Sequence, residues 1–132
     1  MACNDLLHPH SGYGELHEIE HEAFAVGLDK PYDGQLERVQ LVCDWISDDM
    51  EIPYVVVEFM EFIDDVDDNV LGRYYGGADT IALVPEGEWL AVAHEMTHHV
   101  TWEFESGHGV QFQIYFRLLI AAVAEAMENV EG

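Results

Sequence analysis

Positive charge is what this chain has least of. Lysine and arginine together number 4 against 27 aspartates and glutamates, a formal net charge of −23, and Lys30 is the single lysine. So few cations argue against a surface that holds nucleic-acid phosphates, because such binding rests on cationic contacts and weakens further with salt. Direct nucleic-acid binding is therefore not expected. Cysteine is almost as scarce: Cys3 and Cys43 stand far apart and make neither a disulfide framework nor a four-cysteine zinc ribbon. Long apolar runs are missing too, the longest being Leu118 to Ala124, too short to cross a bilayer. The opening Met1-Ala2-Cys3-Asn4-Asp5 lacks the charged and apolar regions of a secretion signal. These absences predict no membrane contact and a cytoplasmic location, or assembly there into a virion or other particle.

What remains is ordinary in hydrophobicity and extreme in charge. With 132 residues, 49% of them hydrophobic, the chain is long enough to bury one core, and no repeat or flexible linker divides it. Self-repulsion at −23 weakens a compact state at low ionic strength, whereas molar salt shortens the Debye length to about 3 Å. The acidity therefore reads as adaptation to a salt-rich, halophilic interior rather than as a binding device, although a surface for basic partners is the alternative.

Periodicity gives a coarse order of elements. A helix is predicted from about Gly14 to Val26 with Leu16, Ile19, Ala23 and Phe24 as its apolar stripe. A second runs from about Gly34 to Met50, with Leu36, Val39, Val42, Cys43 and Ile46 inward. Tyr54 to Phe62 reads as a strand. Asp64-Asp65-Val66-Asp67-Asp68-Asn69 reads as a solvated loop; it is like a calcium loop but lacks the glycine at the sixth position and the glutamate at the twelfth. Leu71 to Tyr75 and Asp79 to Val84, parted by Gly76-Gly77, read as a hairpin. Glu88 to Trp102 and a long segment from Val110 are predicted as the last two helices. The later segment offers Val110, Phe112, Ile114, Tyr115, Leu118, Leu119, Ala122 and Ala126 to brace the earlier one.

The chemistry lies in His94-Glu95-Met96-Thr97-His98, followed by Gly107-His108-Gly109. Helix positions four apart face the same way, so His94 and His98 can share one metal ion while Glu95 faces a water on it. A catalytic zinc takes three protein ligands and leaves one position open, and His108 on a glycine-flanked turn is the third donor. In a chain with 8 histidines the bare pattern is a weak signal, and His17-Glu18-Ile19-Glu20-His21 matches it as well. Context separates the two. The later copy follows a strand and turn and sits on a helix whose buried side is Trp89, Leu90, Val92, Ala93, Met96 and Val100, with the histidines at its edge. The earlier copy has no preceding strand, and its His and Glu residues fall largely on the wet side of a helix, though with His8 and His10 they offer a surface metal site.

His94-Glu95-Met96-Thr97-His98 followed by Gly107-His108-Gly109-Val110-Gln111-Phe112 resembles the SprT-like zinc metallopeptidases, the family of Spartan, over about Thr80 to Leu119. The resemblance implies a minimal zincin-like α+β domain spanning 1–132, with an N-terminal helical segment 1–30 and a catalytic core 31–132. It implies Zn²⁺ as cofactor, His94, His98 and His108 as ligands, Glu95 as catalytic base, and protein or peptide substrates. The family is associated with digestion of proteins crosslinked to DNA. Departures are the short loop between His98 and His108 and the missing zinc ribbon and basic segment, which bear on the DNA-linked role and not on the metal. A metzincin is excluded, since Thr101 and Phe104 stand where its glycine and third histidine belong.

In the architecture so implied, the strand Asp79 to Val84 forms a cleft wall whose free edge pairs with substrate, unless it is covered on both sides. A second oxyanion donor is required, with Tyr74, Tyr75, Tyr115 and His99 as candidates; His99 lies about 140° round the helix from His94 and should point away. Glu103, Glu105 and Glu125 are candidates to orient the ligand rings. Two rivals stay open: an ImmA-like repressor-cleaving peptidase with an acidic third ligand, and a catalytically silent structural or assembly protein, for instance of a halophilic virus particle. Oligomeric state is not legible.

Overall fold

A computed structural model describes residues 13–60, 72–103 and 109–130, with side chains from Glu18 onward. The aspartate-rich run at 64–69, His8, His10, Glu105 and His108 lie outside the described residues, as does the side chain of His17. Among the described residues the architecture is α+β: four helices and a small mixed sheet, with α1 (Tyr13–Ala25), α2 (Leu36–Met50), β1 (Val56–Phe59), β2 (Gly72–Tyr75), β3 (Thr80–Leu83), α3 (Trp89–Thr101) and α4 (Val110–Asn129). The sheet order is β1-β3-β2, with β1 parallel and β2 antiparallel to β3. A 3-10 turn, Gly76–Ala78, joins β2 to β3, so the expected hairpin is present.

That order corrects one expectation. Because β3 is hydrogen-bonded to a strand on each side, it offers no free edge for substrate to pair with. Its Ile81, Ala82 and Leu83 are all buried, as suits a central strand covered on both faces. The outer side of β1 is tied to α2 by one amide group: Gln40 Nε2 donates to Val55 O at 2.8 Å, and Val57 N donates to Gln40 Oε1 at 2.9 Å. A side chain thus takes the place of a neighbouring strand and docks α2 on the sheet.

Helix α3 runs through the centre. Of its residues only Val100 keeps notable exposure; Trp89 to His99 and Thr101 are buried. The helix has no side-chain cap at Glu88. Main chain supplies it instead: the segment leading from α1 to α2 crosses the start of α3, where Trp89 N donates to Lys30 O at 3.1 Å and Leu90 N to Leu28 O at 2.9 Å. Gly87 is required at this crossing, since a Cβ there would stand 2.2 Å from the Tyr32 hydroxyl. The two threonines of the helix, Thr97 and Thr101, turn their hydroxyls back onto Ala93 O and Thr97 O at 2.7 and 2.8 Å, which allows burial.

Three further expectations need adjustment. Glu18, His21 and Glu22 of α1 are exposed as anticipated, but Glu20 is buried beside Ile19. On α4 the buried residues are Phe112, Phe116, Leu119, Ile120, Val123 and Ala126, while Val110, Ile114 and Leu118 are exposed, so the inward face is rotated from the expected one. Helix α4 is also long and apolar enough, by length and composition, to cross a membrane. Here its inward face packs on α3, α2 and α1.

Candidate metal centre

Two sides of α3 carry different chemistry. His94 and His98, one turn apart, face α4: the His94 ring lies 5.1 Å from Phe112 and 5.4 Å from Phe116, and the His98 ring lies 4.5 Å from Phe112. The two imidazoles are 5.0 Å apart between centroids and inclined at 62°. A tetrahedral ion with imidazole nitrogens at about 2.1 Å places neighbouring ring centroids about 5 Å apart, which is the separation of this pair. Solvent exposure of His94, Glu95 and His98 is 0%, 0% and 1%, so the histidines lie in the interior rather than at the edge of the apolar surface as expected. The physical reason is that α3 has the sheet on one side and α4 on the other, which leaves it no wet face.

Glu95 turns toward the sheet. Its carboxyl lies against Gly72 of β2, where a Cβ would stand 3.1 Å from Glu95 Cγ and 3.2 Å from Oε2. Gly72 is a residue the sequence reading missed. Its only signal was a glycine inside a strand, which often marks close approach of another group. Among the described residues no cluster of three or more His, Cys, Asp or Glu is arranged to hold a metal; the third expected donor, His108, is not among them.

One turn beyond Glu95 the same side of α3 carries His99. Its Nε2 donates to Pro53 O at 2.7 Å, and its Nδ1 is bonded to the Tyr74 hydroxyl at 2.9 Å, which also reaches Asp79 Oδ1 at 3.1 Å. Burial, reinforced by the Asp79 bond, pushes the Tyr74 phenol above its ordinary range, so it stays protonated. As expected, His99 points away from the His94–His98 pair. Tyr74 is committed to that same network rather than to the pair. Of the other oxyanion candidates, Tyr75 packs beside Ala82 and Tyr115 is half-buried on α4. Glu103 and Glu125 are both surface residues.

Helix α1 brings its own motif no closer to a site. His21 is exposed and sets its ring on Phe24 at 6.0 Å, and Glu22 holds Arg117 of α4 in a two-pronged surface ion pair at 3.0 and 3.1 Å. That pairing keeps the Glu22 carboxyl below the usual glutamate range. Compared with protein-family models, curated proteins and solved structures, the chain matches none of them.

Proposed function

We propose that this protein is a zinc-dependent endopeptidase in the manner of the SprT-like enzymes, with His94, His98 and His108 as ligands and Glu95 as general base. The observation that carries the reading is the imidazole pair, 5.0 Å apart on successive turns and buried, with Glu95 buried on the adjacent, sheet-facing side of the same helix. A zinc ion held there would supply Lewis acidity toward a peptide carbonyl and toward the water that attacks it. Glu95 accepts the proton of that water and returns it to the leaving amine. Gly72 leaves room for the Glu95 carboxyl, and Phe112 and Phe116 fix the planes of the two rings. The acyl substrate is a protein or peptide, and nothing in the acidic surface favours a nucleic acid.

One observation favours a second reading, a structural or assembly protein that holds a metal without turnover: a substrate has to reach His94, Glu95 and His98, and these are as enclosed as any core residue. Purified protein in molar salt separates the two. The peptidase reading expects stoichiometric zinc, loss of zinc in His94→Ala, His98→Ala and His108→Ala, and cleavage of an unfolded protein that falls at least about a hundredfold in Glu95→Gln with zinc retained. Zinc without cleavage in wild type and Glu95→Gln alike would establish the structural reading. Zinc and cleavage surviving His108→Ala would point instead to an acidic third ligand.

A further inference from the structure

We propose that the cleft beside the C-terminal end of α3 binds an organic cation, an alkylammonium or guanidinium group of the kind a lysine or arginine side chain carries. The cleft encloses about 320 Å³ between the β1 approach, the β2–β3 turn and α3, with Pro53, Tyr74, Asp79, His99, Trp102 and Glu103 around it. That is the low end of the range for small-molecule sites, about 300 Å³ and upward, and suits a single side chain.

Its walls are partly aromatic and carry two carboxylates. Tyr74 and Trp102 meet edge to face at 5.3 Å and 74°. The indole occupies the place where a side chain at Gly76 would be, 1.9 Å from a Cβ built there, so the glycine is what lets Trp102 lie against the strand. Two carboxylates, Asp79 and Glu103, stand at the cleft, and no lysine or arginine lines it. Asp79 is held in the left-handed region (φ 47°) with Oδ1 tied to the Tyr74 hydroxyl, yet its side chain keeps 57% of its exposure. His99 spends both ring nitrogens on Tyr74 and Pro53 and so stiffens the wall rather than meeting a ligand. An anion would face two carboxylates, and the one imidazole in the wall, His99, has both nitrogens bonded to Tyr74 and Pro53 and lies 3.9 Å from Asp79 Oδ1. A neutral apolar group would cover them without return. A cation on an alkyl stem meets the partly exposed Trp102 indole, backed by the buried Tyr74 ring, and carboxylate together.

The position relates this cleft to Glu95. Along the α3–β2 contact Glu95 lies on Gly72, His99 on Tyr74 and Trp102 on Gly76, so the cleft lies about 10 Å along the helix from the carboxylate. An extended peptide covers that in about three residues. The consequence that the cleft selects substrates with a basic residue near the scissile bond rests on the peptidase reading; the binding itself does not.

Calorimetric titration tests it, with N-acetyl-arginine amide as the probe and N-acetyl-norleucine amide as the neutral control, at the lowest salt that preserves the helical circular dichroism. The arginine probe should bind at least about tenfold tighter than the control. Asp79→Asn tolerates the left-handed backbone and still accepts from Tyr74, so it removes charge alone and should weaken the arginine probe about tenfold; Trp102→Phe should weaken it in the same direction. Equal affinity for the two probes, or an Asp79→Asn protein that binds arginine amide as wild type does, overturns the proposal. The Glu95→Gln protein should bind the probe unchanged. Binding without any peptide cleavage by wild type would sink the peptidase reading and support the cleft, whereas cleavage with no probe binding would sink the cleft alone.

Discussion

At Gly72 a single missing side chain decides where a carboxylate sits. Gly72→Ala would place a methyl 3.1 Å from Glu95 Cγ and 3.0 Å from Leu83 Cδ2, tighter than either neighbour accepts without moving. Under the peptidase reading kcat should fall at least about tenfold while zinc content stays that of wild type, because the atoms a Cβ would meet belong to Glu95 and Leu83 and not to the ligand rings. Equal turnover in the two proteins would show that the Glu95 position is not critical. Cys43 gives a different kind of expectation. The thiol is fully buried in α2, and burial pushes its ionisation well up from the ordinary value. The folded state therefore holds the proton after the unfolded chain has released it. Stability from this group is complete below the unfolded value near about 8.5 and declines above it by up to about 1.4 kcal/mol per pH unit. Urea titrations between neutral and alkaline pH should show that slope, and Cys43→Ala should lose it. Residues of this kind were only half legible. The ligand spacing at His94 and His98 is a sequence fact, but the partner of Glu95 and the Tyr74–His99–Asp79 network join positions far apart in the chain, and no local pattern announces them.

Elements were read more securely than their faces. Among the described residues the four helices, the β2–β3 hairpin and a strand after Pro53 lie where periodicity and turn residues put them, with ends shifted by one to three residues, the most at β1, which stops at Phe59 rather than Phe62. Helix α4 shows the limit. Apolar residues surround much of it, so a 3.6-residue stripe does not single out one direction, and its inward side is set by the aromatic rings that meet His94 and His98. This yields a paired test by urea denaturation. Phe116→Ala removes a fully buried ring and should cost about 3–5 kcal/mol. Ile114→Ser, on the exposed side of the same helix, should stay within about 0.5 kcal/mol. Comparable losses would mean that the exposed stripe is covered in solution. The strand β3 failed as a substrate edge for a related reason: sequence shows that a run is strand-like, whereas its rank in the sheet depends on a parallel partner, β1, more than twenty residues earlier.

Across the whole molecule, 27 acidic against 4 basic residues make ionic strength a folding variable. Raising KCl from about 0.1 M to about 3 M should increase the thermal midpoint by on the order of 10 °C, as screening shortens the range of like-charge repulsion. A midpoint indifferent to salt would show that the acidity is not an adaptation to brine. Arg117 is one of the few cations, and it is spent on joining α4 to α1 through Glu22 at the surface, a pairing that salt weakens while it relieves the wider repulsion. The enclosure of α3 on every side also has a kinetic consequence. With no wet face to fray, its amide hydrogens should exchange with deuterium only when the entire chain opens, the slowest class in the protein.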